Sequence, residues 1–329
     1  MLDVRSVTIK SEQWRLRQPF RFSGFTVETL ETVHASVSDG QHSGQGEGVV
    51  PVVFNVRLED CLAELEVARS EIAYGGDALT VCARMAPGPA RNALDCALWD
   101  LRAKASGKTV WELAGLPQAP ATLEVDQSIG LASPDEMASK AAASAHAVLK
   151  VKLDSTLVVE RMSALRAARP DAAILVDANQ GWTVEELLRF TPVLAELRVS
   201  MIEQPLRVGQ DEALRQLNSP VPLYADESCH TRADLPRIAP LYDGINIKLD
   251  KTGGLTEALA LARDASALGL GLMVGCMAGT SLSMAPAYVI GSLCNWADLD
   301  GPLLLEGDRP AAMNYRDGNL ECFSPALWG

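Results

Sequence analysis

Hydrophobic and polar residues alternate along the first 60 residues, in runs separated by turn-forming residues. Alternation with a period of two is typical of strands that bury one face. The runs around Val7, Val33 and Val49 therefore predict a small antiparallel meander. The stretch Gly-Gln-Gly-Glu-Gly at 44–48 is interpreted as a turn, because it lacks the strand-to-helix context of a phosphate-binding loop.

Between residues 58 and 115 the apolar residues recur every three or four positions instead. Leu58, Leu62 and Leu65 fall on one face of a helix, and a second apolar stripe predicts a helix over about 90–114. The first third of the chain is therefore predicted to combine a small sheet with helices.

From about residue 118, short aliphatic runs alternate with amphipathic helical segments. The runs lie at 123–129, 148–153, 173–176, 199–202, 221–225, 245–249, 270–274 and 294–299. Strands that alternate with helices at this period are typical of parallel β/α units. Seven or eight units in succession favour a closed barrel over an open sheet.

The run at 148–154, Val-Leu-Lys-Val-Lys-Leu-Asp, places two lysines on one strand. Residues i and i+2 of a strand share a face, so Lys150 and Lys152 project together. A fold tolerates two like charges on one face when they face anions or when one lysine is held partly neutral. Taken alone, the segment could also be an amphipathic edge strand with solvated lysines.

Most of the later aliphatic runs end in a charged residue. Successive runs close on Lys152, Asp177, Glu203, Asp226 and Lys248, at intervals of 25, 26, 23 and 22 residues. Each interval is one strand plus one helix, so these residues are expected to ring one mouth of the barrel. Three carboxylates on adjacent strands suit a hard cation and predict Mg²⁺. Any single acid could instead be a solvated residue at the start of a loop.

Charge and composition exclude several classes of partner. The net charge of −13 argues against nucleic acid or an anionic membrane. The seven cysteines include no C-x-x-C pair, which fits a reducing, cytoplasmic location. The four histidines are dispersed, so zinc is not expected. No signal peptide and no transmembrane segment are expected from the pattern of apolar residues.

Five motifs at the strand ends carry a resemblance to a known family. In order and spacing, K-x-K, D-x-N, E-Q-P, D-E-S and K-x-D resemble the motifs of the enolase superfamily, in its muconate-lactonizing subgroup. The stretches at 90–100 and 246–256 look especially like bacterial dipeptide epimerases, as does Ala-Asp-Leu-Asp-Gly-Pro at 297–302.

The resemblance covers nearly the whole chain and implies its fold. It predicts the α/β class, with a (β/α)7β TIM-like barrel at 118–304 as the catalytic domain. An α+β capping domain is expected at 1–117, and residues 305–329 are expected to complete it. No linker rich in glycine, proline or serine marks the boundary, so the division depends on the change of pattern.

The resemblance also implies roles for the residues at the mouth. Asp177, Glu203 and Asp226 are expected to bind Mg²⁺, which would chelate the substrate carboxylate and stabilise an enolate. Lys152 and Lys248 are expected to lie on opposite faces of the substrate α-carbon. One lysine would remove the α-proton, and the other would return a proton on the far side.

Further residues are expected to support this chemistry. Lys150 is expected to add positive charge beside the substrate carboxylate, and Asn179 and Asp250 look like residues that orient the catalytic groups. Asp298 and Asp300 share a strand face after the last run. Together they form a dianionic patch that suits a free α-ammonium group, as at a peptide N-terminus.

This combination predicts a dipeptide epimerase of the L-Ala-D/L-Glu type, which inverts the α-carbon of the C-terminal residue in murein peptide metabolism. Further substrate contacts are expected from Arg21, Asp126, Cys276 and Met277. Relatives that act on Ala-Glu usually carry an arginine in the mobile capping loop, where this chain has Gly24. The identity of the second dipeptide residue therefore stays open.

Other functions remain compatible with the motifs. An N-acylamino acid racemase, an o-succinylbenzoate synthase or a cycloisomerase would use the same two lysines and the same metal. A non-catalytic, Mg²⁺-dependent small-molecule binding protein on a retained barrel is an alternative of a different class. In each case the expected partner is a small molecule, with neither nucleic acid nor membrane, and the protein is expected to be a homo-oligomer.

Overall fold

An antiparallel sheet opens the chain in the computed structural model, which describes residues 2–22, 25–51, 54 and 56–329. Its strands follow one another in the order β1 (Ser6–Phe22), β2 (Phe25–Ser38) and β3 (Ser43–Val49). The apolar residues Val33, Ala35 and Val37 of β2 alternate along one face and are buried. The predicted meander is confirmed.

The glycine-rich stretch forms strand β3, so its interpretation as a turn is wrong. A Cβ atom on Gly44, Gly46 or Gly48 would lie 2.2, 2.3 or 2.1 Å from a backbone oxygen of the helix packed on the sheet. These oxygens belong to residues four apart, at Ala97, Ala93 and Pro89. Two strand residues and one helical turn have similar lengths, so alternate glycines let helix and strand approach closely.

In the described part of the chain, the α-helices between this sheet and the next strand are α1 (Leu58–Ala73), α2 (Ala78–Arg84), α3 (Pro89–Ser106) and α4 (Val110–Ala114). The single helix predicted over 90–114 is therefore two helices. Gly107 adopts a left-handed conformation with φ 66° and ends α3. Thr109 and Glu112 then form a capping box that begins α4.

The central part of the chain forms an eight-stranded sheet in which the paired neighbours run parallel. After the short strand β4 (Thr122–Glu124), the sheet order follows the chain through β5 (Gln127–Ile129), β6 (Val148–Lys152), β7 (Ala173–Asp177), β8 (Val199–Glu203), β9 (Leu223–Ala225), β10 (Gly244–Lys248), β11 (Gly271–Gly275) and β12 (Trp296–Ala297). The N–H of Asp126 donates to Ala297 O at 3.0 Å and joins the two ends of the sheet.

Helices connect the strands and cover the outside of this barrel. They are α5 (Pro134–Ala143), α6 (Val158–Ala168), α7 (Val184–Glu196), α8 (Leu235–Ile238), α9 (Leu249–Thr252), α10 (Leu255–Ala267) and α11 (Ser281–Gly291). The largest core cluster is formed mainly between these helices and the strands. The predicted TIM-like barrel with an α+β capping domain is confirmed. Within the described residues, no helix is both long enough and apolar enough to cross a membrane.

The run at 123–129 forms two strands instead of one. Strand β4 leaves the barrel and pairs with a carboxyl-terminal hairpin made of β13 (Tyr315–Arg316) and β14 (Asn319–Glu321). The backbone of β4 pairs with β14 of this hairpin, although the paired residues lie about 200 positions apart in the chain. Such long-range pairing leaves no mark in the local pattern.

The last residues contact both parts of the molecule. Leu305 bridges to Leu16 of β1, and the N–H of Gly329 donates to Asp100 of α3 at 2.8 Å. Strand β14 pairs with β4, next to the barrel sheet. The boundary at residues 117 and 118, and the completion of the capping domain by 305–329, remain proposals.

A buried ion cluster clamps the capping sheet to the barrel. Glu47 of β3 is fully buried and accepts hydrogen bonds from Thr280 N at 2.9 Å and from Thr280 Oγ1 at 2.6 Å. The same carboxylate pairs with Arg309, which also pairs with Glu12 of β1. Thr280 is the N-cap of α11. One carboxylate therefore holds the start of a barrel helix against the capping sheet.

Replacement of Glu47 by alanine is expected to lower the free energy of unfolding by about 3–5 kcal/mol, because it removes the buried acceptor of two Thr280 donors and one of the two carboxylates paired with the half-buried Arg309. Equilibrium denaturant unfolding measures this change. The matched control is Glu28→Ala, which removes an exposed glutamate from β2 and is expected to change stability by less than about 0.5 kcal/mol. Equal unfolding midpoints for the two variants would contradict the clamp.

Candidate active site

The predicted strand-end residues meet at the carboxyl end of the barrel. Lys152, Asp177 and Glu203 pair directly across β6, β7 and β8, so the three residues stand side by side at one level. Asp226 follows β9, and Lys248 is the last residue of β10. The structure therefore brings together all five residues that the regular spacing predicted.

The two lysines flank the row of carboxylates. Lys152 Nζ lies 2.6 Å from Asp177 Oδ2, and Lys248 Nζ lies 2.6 Å from Asp226 Oδ2. Burial alone would lower the pKa of Lys248, but the charge of Asp226 raises it overall. The two amino groups thus occupy opposite ends of the row, with Glu203 between the paired acids.

Lys150 lies beneath this row and is fully buried. Its Nζ is 2.5 Å from Asp298, 2.8 Å from Glu203 and 3.3 Å from Asp177. Burial would lower the pKa of Lys150, but the three neighbouring carboxylates raise it well above its usual range. Lys150 is therefore held as a cation that connects the row of carboxylates to Asp298.

The carboxylate row fits a hard divalent cation. Asp177, Glu203 and Asp226 are buried side by side, and burial together with the charge of Asp177 raises the pKa of Glu203 to about 7. Glu203 Oε2 is buried and has no hydrogen-bond partner among the described residues, although Lys150 lies near it. A cation bound by all three groups would relieve their repulsion, and carboxylate oxygens are the ligands that Mg²⁺ prefers.

Several residues that the sequence reasoning missed hold these carboxylates in place. Asn246 Nδ2 donates to Glu203 Oε1 at 2.7 Å, and Lys251 Nζ donates to Asp226 Oδ1 at 2.6 Å. Gln204 Oε1 accepts from Asp226 N at 3.0 Å. A sequence signal existed for Asn246, which lies two residues before Lys248 and so shares its face of β10.

Glu227, the middle residue of the D-E-S motif, was also missed. It is buried beside Asp226, and burial followed by the charge of Asp226 raises its pKa to about 8. Its Oε2 has no hydrogen-bond partner in the described part of the chain, and the residue lines the cleft above the carboxylates. Glu227 is therefore a further polar group that faces the substrate space.

The two expected orienting residues lie in different places. Asn179 lines the cleft, and its backbone N–H donates to Asp177 Oδ1 at 2.9 Å. Asp250 instead lies behind the site and accepts from Asn92 Nδ2 at 2.7 Å and from Val49 N at 3.0 Å. Burial raises the pKa of Asp250 to about 7. Asp250 thus ties the end of β3 to the barrel.

Asp298 and Asp300 converge as predicted, on the opposite side of Lys150 from the carboxylate row. Asp298 pairs with Lys150, and Asp300 accepts from Ser128 N at 2.7 Å. Their carboxylate oxygens and the Cys276 sulfur lie within 4.8 Å of one another. Burial and the charge of Asp298 raise the pKa of Asp300 to about 7, whereas Lys150 overcomes burial and lowers the pKa of Asp298.

A cleft of about 360 Å³ lies above these groups, between the barrel mouth and the capping sheet. Its floor includes Lys152, Asp226 and Lys248, and it is also lined by Cys276 and Met277. The walls from the capping sheet and the segment after it include Gln13, Leu16, Phe20, Val27, Leu30, Glu31, Val50 and Phe54. The substrate space is therefore polar at the floor and largely apolar at the walls.

Two predicted specificity positions, Arg21 and Asp126, lie outside this cleft. Arg21 is exposed and is absent from the cleft lining formed by the described residues, and its carbonyl accepts from Leu131 N at 3.2 Å. Asp126 lines a second cavity of about 150 Å³, together with residues of β4 and β12. Gly24 lies outside the described residues.

Two family models match almost the whole chain. Residues 4–115 match the mandelate racemase / muconate lactonizing enzyme N-terminal domain, and residues 134–321 match the enolase C-terminal domain-like family. The chain belongs to the mandelate racemase / muconate lactonizing enzyme family of the enolase superfamily. The predicted family membership is confirmed.

Curated members of this family include close relatives. The L-Ala-D/L-Glu epimerase of Escherichia coli strain K12 is 39% identical over 320 residues, which are 96% of this chain and 99% of the relative. An N-acetyl-D-glutamate racemase of a Pseudoalteromonas species is 44% identical over 243 residues, which are 74% of this chain and 76% of the relative. Both relatives are isomerases, and the predicted enzyme class is confirmed.

Solved structures of family members agree with the fold. An enolase family member from Agrobacterium tumefaciens with homology to dipeptide epimerases has sodium and L-Ala-L-Glu bound; its TM-score is 0.94 at 42% identity, covering 98% of this chain and 99% of that one. A dipeptide epimerase from Methylococcus capsulatus, complexed with Mg and L-Arg-D-Lys, has a TM-score of 0.89 at 30% identity, covering 99% of each chain.

Proposed function

We propose that this protein is a Mg²⁺-dependent dipeptide epimerase that inverts the α-carbon of the C-terminal residue of a dipeptide. The observation that carries the proposal is the placement of Lys152 and Lys248 at opposite ends of one row of carboxylates. Two opposed amino groups are what inversion of a carbon centre requires. The E. coli relative, named an L-Ala-D/L-Glu epimerase, supports a substrate of that type.

The reaction divides into two proton transfers. One of Lys152 and Lys248 enters the cycle neutral and takes the α-proton into its lone pair, while the electron pair of the C–H bond moves into the substrate carboxylate. The other lysine enters as an ammonium and delivers a proton to the opposite face of the same carbon. Mg²⁺ held by Asp177, Glu203 and Asp226 would supply charge stabilisation for the enolate.

The far end of the dipeptide is proposed to lie against Asp298 and Asp300, which line the cleft beside the lysines. A free α-ammonium group would donate charge-assisted hydrogen bonds to both carboxylates. Cys276 and Met277 are proposed to border the peptide, because both line the same cleft. Lys150 is proposed to support the substrate carboxylate through its positive charge below the floor.

Deuterium incorporation tests the proposal directly. The protein is incubated in D₂O with a library of dipeptides and Mg²⁺, and the products are read by mass spectrometry and chiral chromatography. The expected result is one deuterium at the α-carbon of the C-terminal residue, together with formation of the other epimer. A library in which no dipeptide gains deuterium would contradict the proposed function.

Replacement of Asp298 by asparagine is expected to lower kcat/KM for a free dipeptide by about 10-fold to 150-fold, because one charge-assisted hydrogen bond to the ammonium is lost. Acetylating the substrate's N-terminus should cause a similar loss in the wild type, since it removes the positive charge. Steady-state kinetics on both substrates measures both effects. If the acetylated substrate is turned over as fast as the free one, the proposal that Asp298 and Asp300 bind the ammonium group is wrong.

That outcome would favour a second candidate, an N-acylamino acid racemase. A relative 44% identical over 243 residues is an N-acetyl-D-glutamate racemase. The pocket itself contains a feature that suits this alternative, because Lys150 lies 2.5 Å from Asp298 and offsets part of its negative charge. Chiral analysis of N-acetyl-glutamate incubated with the protein distinguishes the two candidates.

We propose a cytoplasmic homo-oligomer that acts on small peptides from murein and binds neither nucleic acid nor membranes. The free cysteines Cys61, Cys82, Cys96 and Cys229 are buried, which suits a reducing compartment. Light scattering coupled to gel filtration measures the oligomeric state.

A further inference from the structure

Asp126 lies at the seam where the first and last barrel strands meet. Its N–H donates to Ala297 O at 3.0 Å, and two residues later the N–H of Ser128 donates to the carboxylate of Asp300 at 2.7 Å. These two bonds hold the start of β5 against the end of β12 and the residues that follow it. Asp126 therefore lies beside Asp298, the residue after Ala297, and the charge of Asp298 helps to raise the pKa of Asp126.

The carboxyl group of Asp126 has no conventional donor. The residue is 1% exposed, and both of its carboxyl oxygens lack a hydrogen-bond partner among the described residues. Lys150 is the nearby cation, but its Nζ lies 2.5 Å from Asp298, 2.8 Å from Glu203 and 3.3 Å from Asp177, so its charge is already shared among three carboxylates. A buried carboxylate without a donor is costly, so another arrangement must satisfy this one.

A proton between the two facing carboxyl groups provides that arrangement. Two buried carboxylates at hydrogen-bond distance repel each other, whereas a carboxylic acid donates to its carboxylate neighbour. Lys150 is closest to Asp298 and stabilises the charged form there, which leaves Asp126 as the protonated partner. Burial and the charges of Asp298 and Asp300 raise the pKa of Asp126 well above its usual range, in agreement with this assignment.

We propose that Asp126 is a positioning residue whose carboxylic acid donates a hydrogen bond to Asp298 and thereby fixes the receptor for the substrate's α-ammonium group. The inference rests on the dipeptide epimerase function proposed above. Asp126 borders the second cavity and is absent from the cleft lining of the described residues, so it acts through Asp298. Asp298 is then held from one side by Lys150 and from another by Asp126, while Asp300 is fixed by Ser128.

Two substitutions separate the hydrogen bond from the mere presence of a side chain. Asp126→Asn keeps a donor toward Asp298, and Asp126→Leu keeps similar volume without one. The leucine variant is expected to raise KM for a free dipeptide about 10-fold with little change in kcat, because Asp298 is no longer oriented for the ammonium. The asparagine variant is expected to stay within about threefold of wild type. With an N-acetylated substrate, neither variant should change KM.

The matched control is Glu124→Leu, which removes an exposed carboxylate from the rim of the same cavity. It is expected to behave as wild type, and melting temperatures establish that every variant folds. Equal KM values for Asp126→Leu and wild type, or an equal loss with free and acetylated substrates, would overturn the proposal.

An independent readout does not depend on turnover. Infrared spectroscopy of the substrate-free protein should contain a carbonyl band of a buried carboxylic acid, at higher frequency than the carboxylate bands. Burial also raises the pKa of Glu203, Glu227, Asp250 and Asp300, so the spectra of wild type and variant are subtracted. The difference is expected to contain one carboxylic acid band that is lost in Asp126→Asn and retained in Glu124→Leu. Suppose that Asp126→Asn loses this band while the wild type turns over no dipeptide. This result would support the shared proton and reject the proposed function. A difference spectrum between wild type and Asp126→Asn that contains no carboxylic acid band would reject the shared proton.

Discussion

Alanine in place of Lys152 or Lys248 is expected to abolish the interconversion of dipeptide epimers, with a loss in kcat of about a thousandfold or more. Inversion needs a proton transfer on each face of the α-carbon, so either lysine alone is insufficient. The two amino groups flank the carboxylate row, each 2.6 Å from its acid. Chiral chromatography of each epimer with each variant measures the loss.

Exchange without inversion then assigns the faces. In D₂O, a variant that keeps one lysine can still remove and return the α-proton of one epimer from the same side. Lys152→Ala and Lys248→Ala should therefore each exchange at most one epimer, and not the same one. The control is Lys140→Ala, an exposed lysine on α5 that should be neutral. Epimerisation near the wild-type rate in either active-site variant would reject the two-base assignment.

The placement of the candidate site residues was largely predictable because a barrel repeats one structural unit. Each strand plus helix contributes one residue to the mouth, so regular spacing along the chain becomes adjacency in space. The register confirms this step, since Lys152, Asp177 and Glu203 pair directly across three strands. Asn246 was equally accessible to the same reasoning, because it shares a strand face with Lys248.

The features that escaped prediction depend on contacts between distant parts of the chain. The alternate glycines Gly44, Gly46 and Gly48 look like a turn until helix α3 is packed against them. Asp126 and Asp298 are brought together only by the pairing that joins the two ends of the barrel sheet. Local patterns of apolar residues carry no information about which strands close a barrel, so these contacts required the structure.

The same long-range closure explains how many charged groups are held close together at the barrel mouth. Lys150 contacts carboxylates from both sides of the seam, at Asp177 and Glu203 on one side and Asp298 on the other. The carboxylate row and the proposed binding site for the substrate ammonium group therefore share one buried cation, Lys150. A change in charge at either place should be felt at the other, since interactions between buried charges are weakly screened.

Removal of Mg²⁺ by a chelator is expected to abolish turnover, and added Mg²⁺ should restore it. A metal that binds only the folded protein also stabilises it, by about 2.7 kcal/mol at a concentration 100 times Kd. The melting temperature should therefore rise with Mg²⁺ concentration in the wild type. Full activity in a thoroughly metal-stripped sample would contradict the site.

Two variants and a control locate the cation in the carboxylate row. Glu203→Gln removes the central carboxylate and should abolish the Mg²⁺-dependent rise in melting temperature. Asn246→Ala removes the 2.7 Å bond that orients Glu203 and should weaken Mg²⁺ binding by about 10-fold to 100-fold, measured by calorimetry. Glu160→Gln, at an exposed position on α6, should bind Mg²⁺ as wild type does. Asn246 contacts Glu203 but is not an expected metal ligand. If Mg²⁺ affinity falls from wild type to Asn246→Ala and further to Glu203→Gln, cation binding depends on the orientation of the Glu203 carboxylate as well as on its charge.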